Sequence, residues 1–321
     1  MRRSGKIAAV AVTAVLGVGA VLAHNPYLLV RAHFERQRVV AGLTHGETVV
    51  AGHRWVYAFA DDAPRGAPIL VMLHGFTGSK ENWYPLAERL RGKYRLLIPD
   101  LPGWGETERR ADADYGFVAQ SERVAEFIAQ QARGGGEVVL LGHSMGGGIA
   151  ALVAARHPQL VQRVALLDAA GVRFDDNQFG IDVLAGHNPF AVTDTPSLRR
   201  YIDTVFHRPQ AKPWIPWPAS RGFIARRRGD AAFEQAVLDQ IGRGPEQFIP
   251  GDEAAEIRQP ALLLWGRQDV VIDPSALDLY AAKMPQARKL LVDDAGHMSL
   301  VEQPDAVASA VVKLIEQGQA R

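Results

Sequence analysis

The stretch from Leu140 to Pro158 reads LLGHSMGGGIAALVAARHP, and the rest of the chain is organised around it. Val138 to Leu141 is a short unbroken apolar run, as expected of a strand buried on both faces. Gly147 to Arg156 reads as a helix. Gly142-x-Ser144-x-Gly146 must therefore make a sharp turn from strand to helix. Glycines at 142 and 146 lack the β-carbon that would clash in so tight a bend, and the bend lifts Ser144 above the sheet edge. The helix that follows points its N-terminus at the serine and favours negative charge developing there. A dinucleotide-binding glycine loop also joins strand to helix, but here Ser144 stands where its middle glycine belongs, and no Gly-Lys-Ser/Thr is present. The pattern predicts a nucleophile at Ser144.

Working outward, strand and helix signals alternate from Thr48 onward. Residues 47–50 and 54–59 read as a hairpin around Ala51-Gly52-His53, and Ile69 to Leu73 as a buried strand. Further strands are predicted at 94–99, 164–167, 261–265 and 289–292, with helices at 83–91, 117–132, 274–283 and 304–317. Strands spaced by helices of this length predict an α/β fold, with a mostly parallel sheet covered by helices on both faces. The rhythm breaks between about Val172 and Glu256, where Pro213-Trp214-Ile215-Pro216-Trp217-Pro218 and Arg226-Arg227-Arg228 occur. An insertion at the carboxyl end of a parallel sheet lies over the place where such folds bind ligands, so 172–256 is expected to be a cap or lid. The core is then 48–171 plus 257–317.

A serine hydroxyl needs a base, and the base needs an orienting acid. Val292-Asp293-Asp294-Ala295-Gly296-His297 ends a strand in a small-residue loop, and His297 is the sole histidine after His207. The acid is Asp269 in Gly266-Arg267-Gln268-Asp269, with two alternatives open. Asp273 lies four residues on, where it could equally cap the next helix. Asp168 ends an earlier strand. The backbone N–H groups of Phe76, in His74-Gly75-Phe76, and of Met145 could stabilise an oxyanion. His74 is read as tying its loop down.

In order and spacing, His74-Gly75-Phe76, Asp100-Leu101-Pro102-Gly103-Trp104-Gly105, Gly142 to Gly147, Gly266 to Asp269 and Gly296-His297 resemble the α/β-hydrolase superfamily. The resemblance runs from about Thr48 to Ile315. It implies the α/β-hydrolase fold with a helical cap, and it carries nucleophile, acid, base and oxyanion donors onto Ser144, Asp269, His297, Phe76 and Met145. Closer similarity is to membrane-anchored monoacylglycerol lipases. It rests on the N-terminal apolar segment, on Asp176-Asn177-Gln178-Phe179 opening the cap, and on the spacing from Asp269 to His297.

Composition bounds the rest. The 321-residue chain is 47% hydrophobic and 22% charged, a globular profile long enough to bury a large core. A formal net charge of +1 supplies no basic field for nucleic acid, and the absence of cysteine excludes disulfides and thiolate-held metals. No cofactor or metal is expected, and no obligate protein partner is evident. Met1-Arg2-Arg3-Ser4-Gly5-Lys6 is basic, and Ile7 to Ala23 is apolar except for Thr13. As a helix that run would be roughly 26 Å long, near the lower limit for crossing a bilayer. Residues 1–30 are thus expected to be a single-pass membrane anchor, or else a signal cleaved from a secreted or periplasmic protein.

The expected activity is that of a serine hydrolase cleaving lipid-like carboxylic esters, monoacylglycerols or short- to medium-chain acyl esters. A carbon–carbon bond hydrolase or cofactor-free haloperoxidase of the same fold is the alternative, with a non-catalytic binding protein behind both.

Overall fold

In the computed structural model, residues 21, 23–132 and 135–317 are described. Eight strands form one sheet in the order β1-β2-β4-β3-β5-β6-β7-β8. They are β1 Thr44–Val50, β2 His53–Ala60, β3 Ile69–Leu73, β4 Arg95–Pro99, β5 Val138–His143, β6 Arg163–Leu167, β7 Ala261–Gly266 and β8 Arg288–Val292. β2 runs antiparallel to both β1 and β4, and all remaining pairs are parallel. The first hairpin closes with Val50 opposite His53, so Ala51 and Gly52 alone make the turn, both at positive φ (49° and 75°). A two-residue turn of that handedness matches the twist of the flanking strands.

Every residue of β3, β5, β6 and β7 is buried, which requires cover on both faces and explains why these strands read as unbroken apolar runs. The helix Met145–Arg156 is buried along Met145 to Ala154 and is apolar on all sides, as a central helix must be. Its small residues let it lie close: a β-carbon on Gly147 would sit 2.5 Å from that of Ala169. β1 begins at Thr44, three residues before the expected 47, and the other strand boundaries fall within about two residues of those expected from sequence.

The insertion is helical. Gln178–Leu184, Thr195–Val205, Ala219–Gly242 and Ile249–Glu253 make it up. Asn177 caps the first by accepting from the Gly180 N–H, and Asp194 caps the second in a reciprocal box with Ser197.

At the N-terminus the structure departs from expectation. Residues 26–30, grouped above with the apolar segment, belong instead to the protein body. Pro26 precedes a helix, Tyr27–Val40, and Pro26 and Val30 are buried. This helix crosses Ala219–Gly242 so closely that a β-carbon on Gly222 would lie 2.2 Å from the Tyr27 nitrogen. The anchor expected at 7–23 falls almost wholly outside the described residues. Among those described, no helix is long and apolar enough to cross a membrane.

Candidate active site

The carboxyl ends of the parallel strands gather the residues singled out from sequence. Ser144 follows β5 at φ 54° and ψ −121°, a conformation that L-residues adopt only when the surroundings impose it. The surroundings do so here. The Ser144 N–H donates to the Leu167 carbonyl at 3.0 Å, and the Ser144 carbonyl accepts from the N–H groups of Gly147, Gly148 and Ala170. The flanking glycines are obligatory. A β-carbon on Gly142 would lie 2.1 Å from the Gly146 carbonyl oxygen, and one on Gly146 would lie 2.4 Å from that of Leu73.

His297 lies in the loop after β8, with its Nδ1 2.8 Å from Asp269 Oδ2. The other oxygen of Asp269 accepts from the N–H groups of Val271 (2.8 Å) and Ile272 (3.1 Å), so the carboxylate is fixed at both ends. Burial pushes the Asp269 carboxyl up, and these two N–H groups oppose the shift. Burial also lowers the His297 pKa from 6.5 to about 3, with Glu302 working against it. The imidazole is therefore neutral, with a proton on Nδ1 facing Asp269 and Nε2 left as the basic atom.

The two other candidate acids are occupied elsewhere. Asp273 Oδ1 accepts from the Ser275 N–H at 2.9 Å and caps the helix Ser275–Lys283. Asp168, at φ 47°, accepts from the Gly266 N–H at 2.7 Å and from the Ser299 hydroxyl. It braces the end of β7.

The loop after β3 lies against the serine: a β-carbon on Gly75 would be 2.9 Å from that of Ser144. His74 is structural, as expected. Its Nδ1 donates to the Gly75 carbonyl at 2.8 Å and its Nε2 accepts from the Leu101 N–H at 2.9 Å. Burial lowers its pKa to about 4, so this bridge is made by the neutral ring. Among the described residues, the Phe76 N–H has no protein acceptor. The Met145 N–H belongs to the first turn of its helix, where backbone donors lack intrahelical partners.

Four features were not anticipated. His143 donates from Nε2 to the His297 carbonyl at 2.7 Å. Glu302 is buried and accepts from the N–H of Gly296 (2.8 Å) and that of Arg208 in the insertion (2.6 Å), which joins the His297 loop to the cap. Thr77, next to Phe76, meets the Tyr201 hydroxyl of the cap at 3.1 Å. Behind Tyr201, Arg227 pairs with Glu234 at 2.8 Å, both buried. The only sequence signal for that pair is its spacing of seven, one helical face.

The cap closes over this arrangement. The Phe76 ring contacts Trp104 at 5.1 Å and Phe190 of the cap at 5.5 Å, and Phe190 in turn meets Phe179 and Tyr201. Ser144 is 6% exposed and His297 3%. A strained serine, a neutral imidazole oriented by a fixed carboxylate, and free backbone donors in a water-poor site can together support nucleophilic acyl transfer.

Comparison with known proteins identifies the fold and the family. Residues 68–304 match the family model for the alpha/beta hydrolase fold. The chain is 32% identical to Lipase 3 of Moraxella sp. (strain TA144) over 257 residues, covering 79% of each. It is 24% identical to monoacylglycerol lipase ABHD6 of Rattus norvegicus, over 90% of this chain and 87% of that one. Among solved structures, a membrane phospholipase A described as a bacterial virulence factor superposes with a TM-score of 0.85 at 30% identity, covering 98% of this chain and all of the other. The chain belongs to the α/β-hydrolase family.

Proposed function

We propose that this α/β-hydrolase is a carboxylic ester hydrolase acting on lipid-like esters, monoacylglycerols or other short- to medium-chain acyl esters, through an acyl-enzyme on Ser144. The observation that carries the reading is the 2.8 Å bond from His297 to Asp269, with the His297 main chain held by His143, the neighbour of a serine at φ 54°. The lipases and monoacylglycerol lipase among the relatives support the substrate class.

His297 Nε2 takes the Ser144 proton as Oγ attacks the ester carbonyl. Asp269 holds the ring in the tautomer that leaves Nε2 free and stabilises the imidazolium as it forms. The N–H groups of Phe76 and Met145 receive the oxyanion, which exists only in the tetrahedral intermediate and its flanking transition states. The alcohol leaves with the proton from His297. Water, deprotonated by the same nitrogen, then releases the fatty acid. The aromatic cap residues Phe179, Phe190 and Tyr201 supply apolar contact for an acyl chain.

Residues 7–23 hold the domain at the membrane where such substrates collect. A monoacylglycerol partitions into bilayers at roughly 0.8 kcal/mol per buried methylene, so a tethered enzyme meets it at a high effective concentration.

A fluorophosphonate probe tests the chemistry. Wild type should be labelled at Ser144, and Ser144→Ala should lose both the label and ester hydrolysis, by as much as ~10⁶-fold on the protease precedent. Turnover above a percent of wild type in that variant would refute the assignment. For the anchor, the full chain should resist extraction by carbonate, and mature protein beginning at His24 would show a cleaved signal instead.

A further inference from the structure

We propose that the Trp214–Trp217 edge of the cap rests on the bilayer surface and seats both indoles among the lipid headgroups. The inference builds on the anchoring reading above and concerns a different part of the chain. Four of the six tryptophans, Trp55, Trp83, Trp104 and Trp265, are buried, whereas Trp214 is 86% exposed and Trp217 78%. A single exposed apolar residue needs no explanation. This pair is held outward. Ile215, between them, packs on the small cap cluster of Val192, Leu198 and Ile224. Pro213, Pro216 and Pro218 fix their own φ and so narrow the conformations open to the segment that carries the two indoles.

Their position names the occupant. Trp217 comes just before the helix Ala219–Gly242, and within the first turn of that helix Gly222 takes the backbone of Pro26 and Tyr27 in close contact. Residues 26 and 27, to which the apolar run 7–23 leads, therefore meet the folded body at the start of the helix that Trp217 precedes. Arg221 and Arg228, seven apart on this helix, are exposed, and among the described residues neither has an ion pair. Such side chains extend to phosphate oxygens while their stems cover apolar surface. Indoles with an apolar body and one N–H donor favour the boundary between hydrocarbon and water. An apolar run in the sequence ahead of His24, two exposed indoles and exposed guanidinium groups of the helix that follows them fit a lipid surface.

The test uses the full chain reconstituted in phosphatidylcholine–phosphatidylglycerol vesicles, with and without bromine on the acyl chains. Because the other four tryptophans are buried in protein, quenching by bromolipid should arise from Trp214 and Trp217 and vanish when both are replaced by alanine. The double variant should still float with the vesicles and hydrolyse a soluble short-chain ester at the wild-type rate. Its hydrolysis of a vesicle-borne ester should fall about tenfold, as expected for removing two partly buried indoles. Wild type that floats with vesicles but is quenched by iodide and not by bromolipid would overturn the proposal. Wild type that fails to float would refute the anchor alone. Preformed bromolipid vesicles then decide the edge: quenching supports it, and none overturns it.

Discussion

His143 donates from its Nε2 to the backbone carbonyl of His297 at 2.7 Å, and the two rings lie 4.8 Å apart. The residue before the proposed nucleophile thus holds the main chain of the proposed base. Burial, followed by His297 itself, keeps the His143 pKa well below its usual 6.5, so this donor is a neutral ring. His143→Ala should lower kcat on a short-chain ester by about 10- to 100-fold, as displacements of an ångström do, with KM little changed. A lower Tm with unchanged kcat would mean that the contact serves packing alone.

Asp269→Asn should preserve the geometry but favour the wrong imidazole tautomer, costing ~10⁴-fold in kcat by the serine-protease precedent. Asp273→Asn should cost little activity, because Asp273 caps a helix and asparagine caps nearly as well. Reversed results would move the acid to Asp273.

The pH profile follows from burial of the base. Protonated His297 is inactive, so the rate must fall as pH drops through its pKa. Under the closed cap burial has moved that pKa from 6.5 to about 3. The acidic limb of kcat/KM for a soluble ester should therefore lie below pH 6.5. A midpoint at 6.5 or above would mean that the free enzyme in solution holds its cap open.

His74 should make stability sensitive to acid. Its folded pKa of about 4 lies below the unfolded value near 6.5, so the unfolded chain binds the proton first. The contribution is complete above pH 6.5, erodes as pH falls and is gone by about pH 4. At 1.36 kcal/mol per unit that amounts to ~3 kcal/mol at most. Comparing urea midpoints of wild type and His74→Asn from pH 7 to 4 cancels the other titrating groups. The difference should shrink toward acid, and a constant difference would contradict the assignment.

The elements that were legible in sequence are those whose constraint is local. The turn at Ser144 left its mark because side chains at 142 and 146 would collide with nearby backbone, and the central strands did because burial on both faces admits only apolar residues. Choices among distant partners leave no such mark. Asp168 and Asp269 both end strands, and only their three-dimensional setting gives one to Ser299 and the other to His297. Lys80 reads as a surface residue, yet it is buried with its ammonium 2.7 Å from Asp100, under a loop that Gly105 allows to pass over that carboxylate. The helix Tyr27–Val40 was missed because its few apolar residues make sense only against the cap helix it crosses.

The insertion leaves the sheet and returns to it at one place. The Gly251 N–H donates to the Gly171 carbonyl at 2.9 Å, and Gly171, at φ 112°, lies against Pro250. A segment whose two ends meet adds little strain to the scaffold whatever its length, since closure entropy grows only slowly with the number of residues enclosed. Residues 172–250 are in that sense a cassette. Descendants of this chain can trade one cassette for another and change diet while Ser144, Asp269 and His297 stay where they are. The exchange carries one condition: the new segment must still offer an acceptor to the Met298 N–H, as Val205 does now, and a donor to Glu302, as Arg208 does.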